Sequence, residues 1–304
     1  MSVNIINIVN KIITKKGGDV PAKPKKISKK TIAFGIAGAV GAGAAEFVSA
    51  GFVSHQDGRT FFQNIASIAE WAAFIGLGIS IGLLVVQSVY LKKKPAFKSL
   101  IKTVIIGIGL GVLAGAIAQA AFAFTSKISV MVEAISRAVC WGILGLGIGW
   151  GVSMFVPNYP KRRAILAGFL GGFIGGAIFR ATFLIPAIPG GAGRFIGVAI
   201  LGLFIGLMIS LVEEALREAW LTVMWSKNET RSVSLGKKPI IFGSSPQADI
   251  YLPKDKEPPV RATVHIESSQ VVMHDQKTNQ RKVLRNGDRV DFGKVSFVVN
   301  TKEK

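Results

Sequence analysis

Apolar residues fill the first two thirds of the chain in six long stretches, and a polar segment of alternating pattern follows them. The stretches run over 31–53, 67–91, 101–124, 136–156, 164–186 and 194–213. Each has about the 20 residues that an α-helix needs to cross a hydrocarbon core, with few charges. The pattern predicts an α-helical polytopic membrane domain of six transmembrane helices. Beyond it, short runs predict β-strands at 221–225, 231–235, 239–243, 249–252, 261–267, 271–274, 281–284, 290–293 and 295–300. Turn formers separate them, among them Ser245-Pro246, Pro258-Pro259 and Asn286-Gly287. Short strands at such close spacing read as a small all-β sandwich. Between the two parts, Val212 to Trp220 keeps a helical pattern, so the sixth span is expected to leave the membrane as a charged helix. The expected organisation is a basic segment over 1–30, the membrane domain over 31–214 and the sandwich over 215–304.

Charge changes the picture through its placement. The 304 residues carry a formal net charge of +20. Eight lysines and one aspartate precede Thr31; Lys92, Lys93, Lys94, Lys98 and Lys102 lie between spans two and three; Lys161, Arg162 and Arg163 lie between spans four and five. The other connections are poor in Lys and Arg. This alternation fits the positive-inside rule with both termini, and so the sandwich, in the cytoplasm. The expected location is the inner (plasma) membrane of the cell, as a multi-pass protein in contact with membrane lipids. A soluble protein this basic would point to nucleic acid, but topology accounts for the charge and no nucleic acid is expected as a partner. No small-residue cleavage site follows a short apolar core, so no cleavable signal is expected ahead of span one. Within the first sixteen residues, Ile5, Ile8, Val9 and Ile12 at helical spacing with Lys11, Lys15 and Lys16 suggest an interfacial helix; a loosely ordered basic tail is the alternative.

The spans resemble one another. Span four (SRAVCWGILGLGIG) and span six (GRFIGVAILGLFIG) align at a 57-residue offset, matching Arg137 with Arg194, Gly145 with Gly202 and Gly149 with Gly206. Among the odd spans, Gly111, Gly115 and Gln119 match Gly172, Gly176 and Arg180, and Gly38, Ala42 and Glu46. Self-similarity of this kind predicts three copies of a two-helix hairpin. Spacing of four places each small pair and its polar residue on one helix face, where small residues let helices approach closely in lipid. Glu46, Gln119 and Arg180 are therefore expected at similar depth, with Glu46 paired to Arg180 as structural glue or, alternatively, on a solute path.

The tail carries a second signature. IIFGSSPQADIYLP, RATVHIESSQVVMHD and LRNGDRVDFGKVSFVV together resemble the forkhead-associated (FHA) domain, over about 220–300. EEALREAWL, just before, is similar to the junction in bacterial polytopic membrane proteins with a C-terminal FHA domain. The resemblance matches scaffold positions Gly243, Asp249, Ile250, Leu252, His265, Gly287, Asp288 and Gly293. It implies a phosphothreonine-reading fold, with His265 bracing the loops. The positions that would read phosphate depart from the pattern: Ser244 stands where an Arg orients the loops, Ala262 where a Ser bonds phosphate, and Thr263 where an Arg does so. Asn279 is the candidate for the residue that grips peptide backbone, and Ser245 and Arg261 complete the candidate loop site. Phosphate dianions call for charge-assisted donors, so the departures imply a domain that binds a protein partner without phosphate; a phosphorylated partner is the alternative.

Enzyme readings find no support in the sequence. There is no HExxH and no Ser-His-Asp arrangement, the lone Cys140 lies inside span four, and the Gly-rich segments lack the flanking strand and Lys of a nucleotide loop. No cofactor or metal is expected. The expected role is a membrane scaffold that recruits a cytoplasmic protein through the FHA-like domain. The alternative is a channel or transporter regulated by that domain, and the sequence leaves a homo-oligomer open.

Overall fold

The structure, a computed structural model, describes residues 27–52, 60–93, 97–182, 190–226, 229–252 and 257–302, without the side chains of Lys98, Ser99, Arg180 and Thr182. The expected interfacial helix at the N-terminus lies outside them.

Among the described residues six helices come first: α1 (Lys29–Phe52), α2 (Phe61–Tyr90), α3 (Phe97–Thr125), α4 (Val130–Phe155), α5 (Lys161–Thr182) and α6 (Gly190–Leu216). All six are long and apolar enough to cross a membrane by length and composition. They pack as a ring in chain order, with α6 returning to α1 and α2 also touching α4. Ile75, Ile79 and Leu83 of α2, Leu144 and Ile148 of α4, and Leu201 and Ile205 of α6 are fully buried. α3 turns Ile101, Ile105, Leu113 and Ile117 outward.

Glycine sets how closely the helices meet. A methyl group on Gly76 would run into the carbonyl of Gly107, one on Gly145 into that of Gly168, and one on Gly202 into that of Gly38. The α2–α3, α4–α5 and α6–α1 seams thus repeat one backbone-to-backbone contact, as small residues permit. The contact also corrects the alignment of the odd spans. Gly38 takes the place of Gly107 and Gly168, not of Gly111 and Gly172. By this register Glu46 corresponds to Gly115 and Gly176, one helical turn before the positions of Gln119 and Arg180. Gly115 and Gly176 do lie at helix contacts, against Ile68 and Trp141.

Among the described residues nine strands follow: β1 (Ala219–Ser226), β2 (Glu229–Leu235), β3 (Ile240–Gly243), β4 (Ile250–Tyr251), β5 (Ala262–Glu267), β6 (Gln270–Asp275), β7 (Gln280–Leu284), β8 (Arg289–Phe292) and β9 (Val295–Thr301). They build two sheets, β2-β1-β9-β8 and β4-β3-β5-β6-β7. Among the described residues only β3 and β4 pair in parallel. Phe242, Phe292 and Phe297 pack between the sheets with ring centroids 4.9–6.0 Å apart. All nine expected strands are present.

The expected helical extension to Trp220 is not. α6 stops at Leu216, and Ala219 and Trp220 already pair with β2 and β9. Alternation decides this: Ala219, Leu221 and Val223 bury inward while their neighbours face out. The freed carbonyls of the last turn find cations, Lys302 Nζ on Ala215 and Arg163 Nη1 on Leu216, as helix C-termini favour.

Candidate interaction site

Strand register brings the FHA-like loops together. Phe242 lies opposite Ala262, and Ala262 opposite Asp275. The end of β3, the start of β5 and the end of β6 are therefore level, and Ser244, Ser245, Arg261 and Asn279 sit at that one end of the sandwich. Glycine is required at Gly243, because a Cβ there would strike the Pro259 carbonyl. That close approach lets Ser244 and Ser245 donate their amides to Pro258 and Pro259 (3.1 and 3.2 Å). The Ser244 hydroxyl is turned inward too, donating to the Glu257 carbonyl at 2.9 Å. Ser245 Oγ accepts from the amide of Gln247. Asn279 takes a left-handed conformation, φ 51°, in the β6–β7 turn.

Arg261 is the part-buried cation at this end, and carboxylates hold it; Lys277, in the same turn as Asn279, is exposed. Its Nη1 bonds Asp275 Oδ1, and its Nε lies 3.0 Å from Glu257 Oε2 without the alignment of a hydrogen bond. The guanidinium also lies 5.3 Å from the Phe292 ring centroid. Asp275 accepts in addition from the amides of Lys277 and Thr278 (2.9 and 3.2 Å). Burial alone would raise the Asp275 carboxyl; the bonds from Arg261 and the two amides outweigh it and hold it below the ordinary Asp value. The sign follows: this stabilisation is present above the unfolded value of about 3.9 and is lost as pH falls through the lower folded value. Asp275→Asn is expected to weaken hydrogen-exchange protection of β5 and β6 at neutral pH, with the difference from the parent shrinking below about pH 4. A difference independent of pH would contradict this.

Two sequence-derived candidates behave otherwise. Ala262 is fully buried and Thr263 half-buried, opposite His274. His265 lies further along β5 opposite Val272, with Nε2 3.7 Å from Glu267 and Nδ1 buried without a hydrogen bond among the described residues. At about 3.3 Å per residue it stands some way along the strand from Arg261, and among the described residues no hydrogen bond joins it to the loops.

The sandwich is joined to the bundle by contacts that sequence reasoning missed. Glu213, near the end of α6, pairs with Lys30 at the start of α1, both side chains almost fully buried. Its second oxygen accepts from Ser234 Oγ of β2 at 2.8 Å. The Lys30 ammonium also lies between the rings of Phe34 and Tyr90, at 5.6 and 5.3 Å. Tyr90 OH accepts from the Ser232 amide at 2.8 Å. Lys92 pairs with Glu229, and Lys93 with Asp249. Asn158 donates to the Ser234 and Lys238 carbonyls and accepts from the Lys238 amide. Tyr159 donates to the Ile209 carbonyl at 2.8 Å; burial first, then the Glu213 charge, raises its phenol well above the ordinary value.

Glu46 has a different partner from the one expected. Arg194 of α6 donates to its Oε1 through Nε and Nη2 (2.8 and 2.6 Å), and Trp71 Nε1 to its Oε2 (2.6 Å). Eight residues separate Arg194 from Gly202 and Glu46 from Gly38, so the glycine seam itself brings the pair level. The Arg180 side chain lies outside the described residues. Gln119 lines a cavity of about 210 Å³ beside Trp71, Trp141 and Phe179.

No family profile matches the chain, and no curated protein matches it. Solved structures that are similar at low level include the following three. An FHA domain studied for phosphothreonine-dependent interactions is 16% identical with a TM-score of 0.25, over 29% of this chain and 99% of that one. The Rv0020c FHA domain is 16% identical with a TM-score of 0.25, over 28% and 93%. Mycobacterium tuberculosis EmbR, in complex with a low-affinity phosphopeptide, is 13% identical with a TM-score of 0.25, over 83% and 74%.

Proposed function

We propose that this chain is a polytopic membrane protein that docks a cytoplasmic protein partner through its FHA-like sandwich, by contacts that do not read phosphate. The role is one of binding rather than catalysis. The observation that carries it is Arg261, the guanidinium of the loop end, already held by Asp275 and Glu257. A phosphate approaching Arg261 would compete with two carboxylates for it, and like charges in a part-buried site repel. The exposed Lys277 is a single ammonium, short of the two or three charge-assisted donors a phosphate dianion calls for. The phosphothreonine dependence of the FHA domain noted above is a property of that domain; here its reading positions are Ser244, Ala262 and Thr263.

The membrane side of the reading rests on the six apolar helices and on the basic connections. Lys92, Lys93, Lys161 and Arg163 all lie at the bundle end that carries the sandwich. In a Cys140→Ser background, cysteines at positions 57 and 93 should label from opposite faces of sealed vesicles; labelling from one face would overturn the topology. Ile75, Ile79, Leu83, Leu144, Ile148, Leu201 and Ile205, fully buried within the bundle, favour a platform over a conduit, and the cavity beside Gln119 is where a solute path would have to run. Reconstituted protein should leave ion and solute flux across vesicles unchanged, whereas flux above empty vesicles would favour the channel or transporter reading. For docking itself, full-length protein in detergent should retain the same captured partner from lysate with and without phosphatase treatment. Loss of that partner on phosphatase treatment would count against the proposal.

A further inference from the structure

The cleft between bundle and sandwich has the composition of an anion site, and we propose that it binds a phosphate-bearing ligand. Its volume is about 1070 Å³. The walls come from both halves of the chain: the α4–α5 connection, the end of α6, the β2–β3 loop, the β5–β6 turn and the end of β9. Five cationic side chains line it, Arg163, Arg217, Lys237, Lys238 and Lys302, against the carboxylates Glu213 and Glu218. Glu213 is neutralised by Lys30, and the Glu218 side chain is 81% exposed to solvent. Arg163 also lies 3.9 Å from Glu218, and the cations still outnumber the carboxylates. An excess of one sign between low-dielectric walls concentrates counter-ions.

The cations divide by what else they do. Arg163 and Lys302 cap the last turn of α6, which accounts for them without a ligand. Arg217 packs 4.5 Å from the Trp220 ring centroid and reaches Ser232 Oγ at 3.0 Å. Lys237 and Lys238 differ from these three. Among the described residues neither ammonium meets a carboxylate, although both sit on a loop held in place. Asn158 binds the Lys238 backbone at both its amide and its carbonyl. A Cβ on Gly236 would come within 2.7 Å of Asn158 Oδ1, so the loop lies directly on the bundle. Ser268 and Ser269 also line the cleft, both in left-handed conformation at the β5–β6 turn.

Lys237 and Lys238, exposed on a held loop and lining one cleft with Arg217 and the hydroxyls of Ser268 and Ser269, suit a group with three strong acceptor oxygens and up to two charges, more than a single carboxylate. The volume is at or above the usual range for small-molecule pockets, roughly 300–1,000 Å³. A soluble phosphate compound could enter from solvent, and a phospholipid headgroup could enter from an inner leaflet at the level of the basic connections. The recognising chemistry is the same for both. This site stands independently of the docking proposal, since it uses neither Arg261 nor the loop end.

The test uses full-length protein in phosphatidylcholine nanodiscs, titrated with inorganic pyrophosphate, and a parallel sample in nanodiscs containing phosphatidylglycerol. The readout is the unfolding midpoint. A saturable rise with pyrophosphate identifies a soluble source; a rise with phosphatidylglycerol and none with pyrophosphate identifies the lipid. In either case Lys237→Ala/Lys238→Ala should weaken the response at least about tenfold, while its midpoint without ligand matches the parent. Arg217→Gln, on the other wall, should weaken it as well. No response to either probe, or a response unchanged in both variants, overturns the proposal. If the chain fails to enter nanodiscs, the membrane reading falls, and the pyrophosphate titration still decides the site.

Discussion

Glu213→Ala is expected to destabilise the protein by about 3–5 kcal/mol, the cost of leaving one buried charge without its partner. Lys30 would remain with 3% of its side chain exposed, facing two aromatic rings and no carboxylate. Ser234 would lose its acceptor at the same time. Because Glu213 touches α1 and β2 together, the loss should appear in both halves, as a lower unfolding midpoint and as faster hydrogen exchange in β2. The double variant Lys30→Met/Glu213→Leu separates a lost charge pair from lost shape. Replacing a buried ion pair by apolar groups of similar volume is often neutral or stabilising, so the double variant should recover most of the single variant's loss. A single variant as stable as the parent would mean that Lys30 reaches water or another acceptor.

Gly145→Ala and Gly202→Ala carry the second large effect. In an exposed helix interior the change would stabilise by roughly 1 kcal/mol through backbone entropy. At these positions the new methyl group meets a backbone carbonyl of the neighbouring helix, at Gly168 and at Gly38. Backbone cannot rotate aside as a side chain can, so the helices must part. Overpacking of this kind typically costs about 1–3 kcal/mol and occasionally more, which exceeds the helix gain. Separating the α6–α1 seam should also lengthen the Arg194–Glu46 contact made on the same two helices. Gly109→Ala is the internal control, because nothing lies within 4 Å of its added Cβ. The yield of monodisperse protein in detergent should fall for Gly145→Ala and Gly202→Ala and hold or rise for Gly109→Ala. Equal behaviour of all three would remove the glycine seams from the account.

The periodic parts of this fold are legible in the sequence. Six long apolar runs become six helices, and nine short alternating runs become nine strands, because burial on one side writes itself into local spacing. The junction misleads for a physical reason. EEALREA favours helix locally, and only the pairing of Ala219 and Trp220 with β2 and β9, far along the chain, overrides it. The odd-span register fails differently. When small residues recur every four positions, a slip of one turn matches nearly as well, and it sets Glu46 a turn too far along, toward Arg180 instead of Arg194. The Lys30–Glu213 pair joins residues 183 positions apart, and no local pattern announces it. A lysine opening one apolar helix and a glutamate closing another on the same side are the available signal. At the loop end, the absence of Arg at 244, 262 and 263 is plain, whereas the capture of Arg261 by Asp275 depends on β5–β6 register.

The function proposed here turns on whether the FHA-like loops recognise phosphate. The direct measurement is binding of a degenerate phosphothreonine peptide library and its unphosphorylated twin to full-length protein in nanodiscs. Two or three charge-assisted bonds to a phosphate, at roughly 1.5–3 kcal/mol each, would separate the two libraries by several kcal/mol. With Arg261 held by Asp275 and Glu257, the expected preference is less than about tenfold, or about 1.4 kcal/mol. A phosphopeptide preference above tenfold that disappears in Arg261→Ala would show that this guanidinium leaves its carboxylates to bind phosphate, and would contradict a phosphate-independent dock.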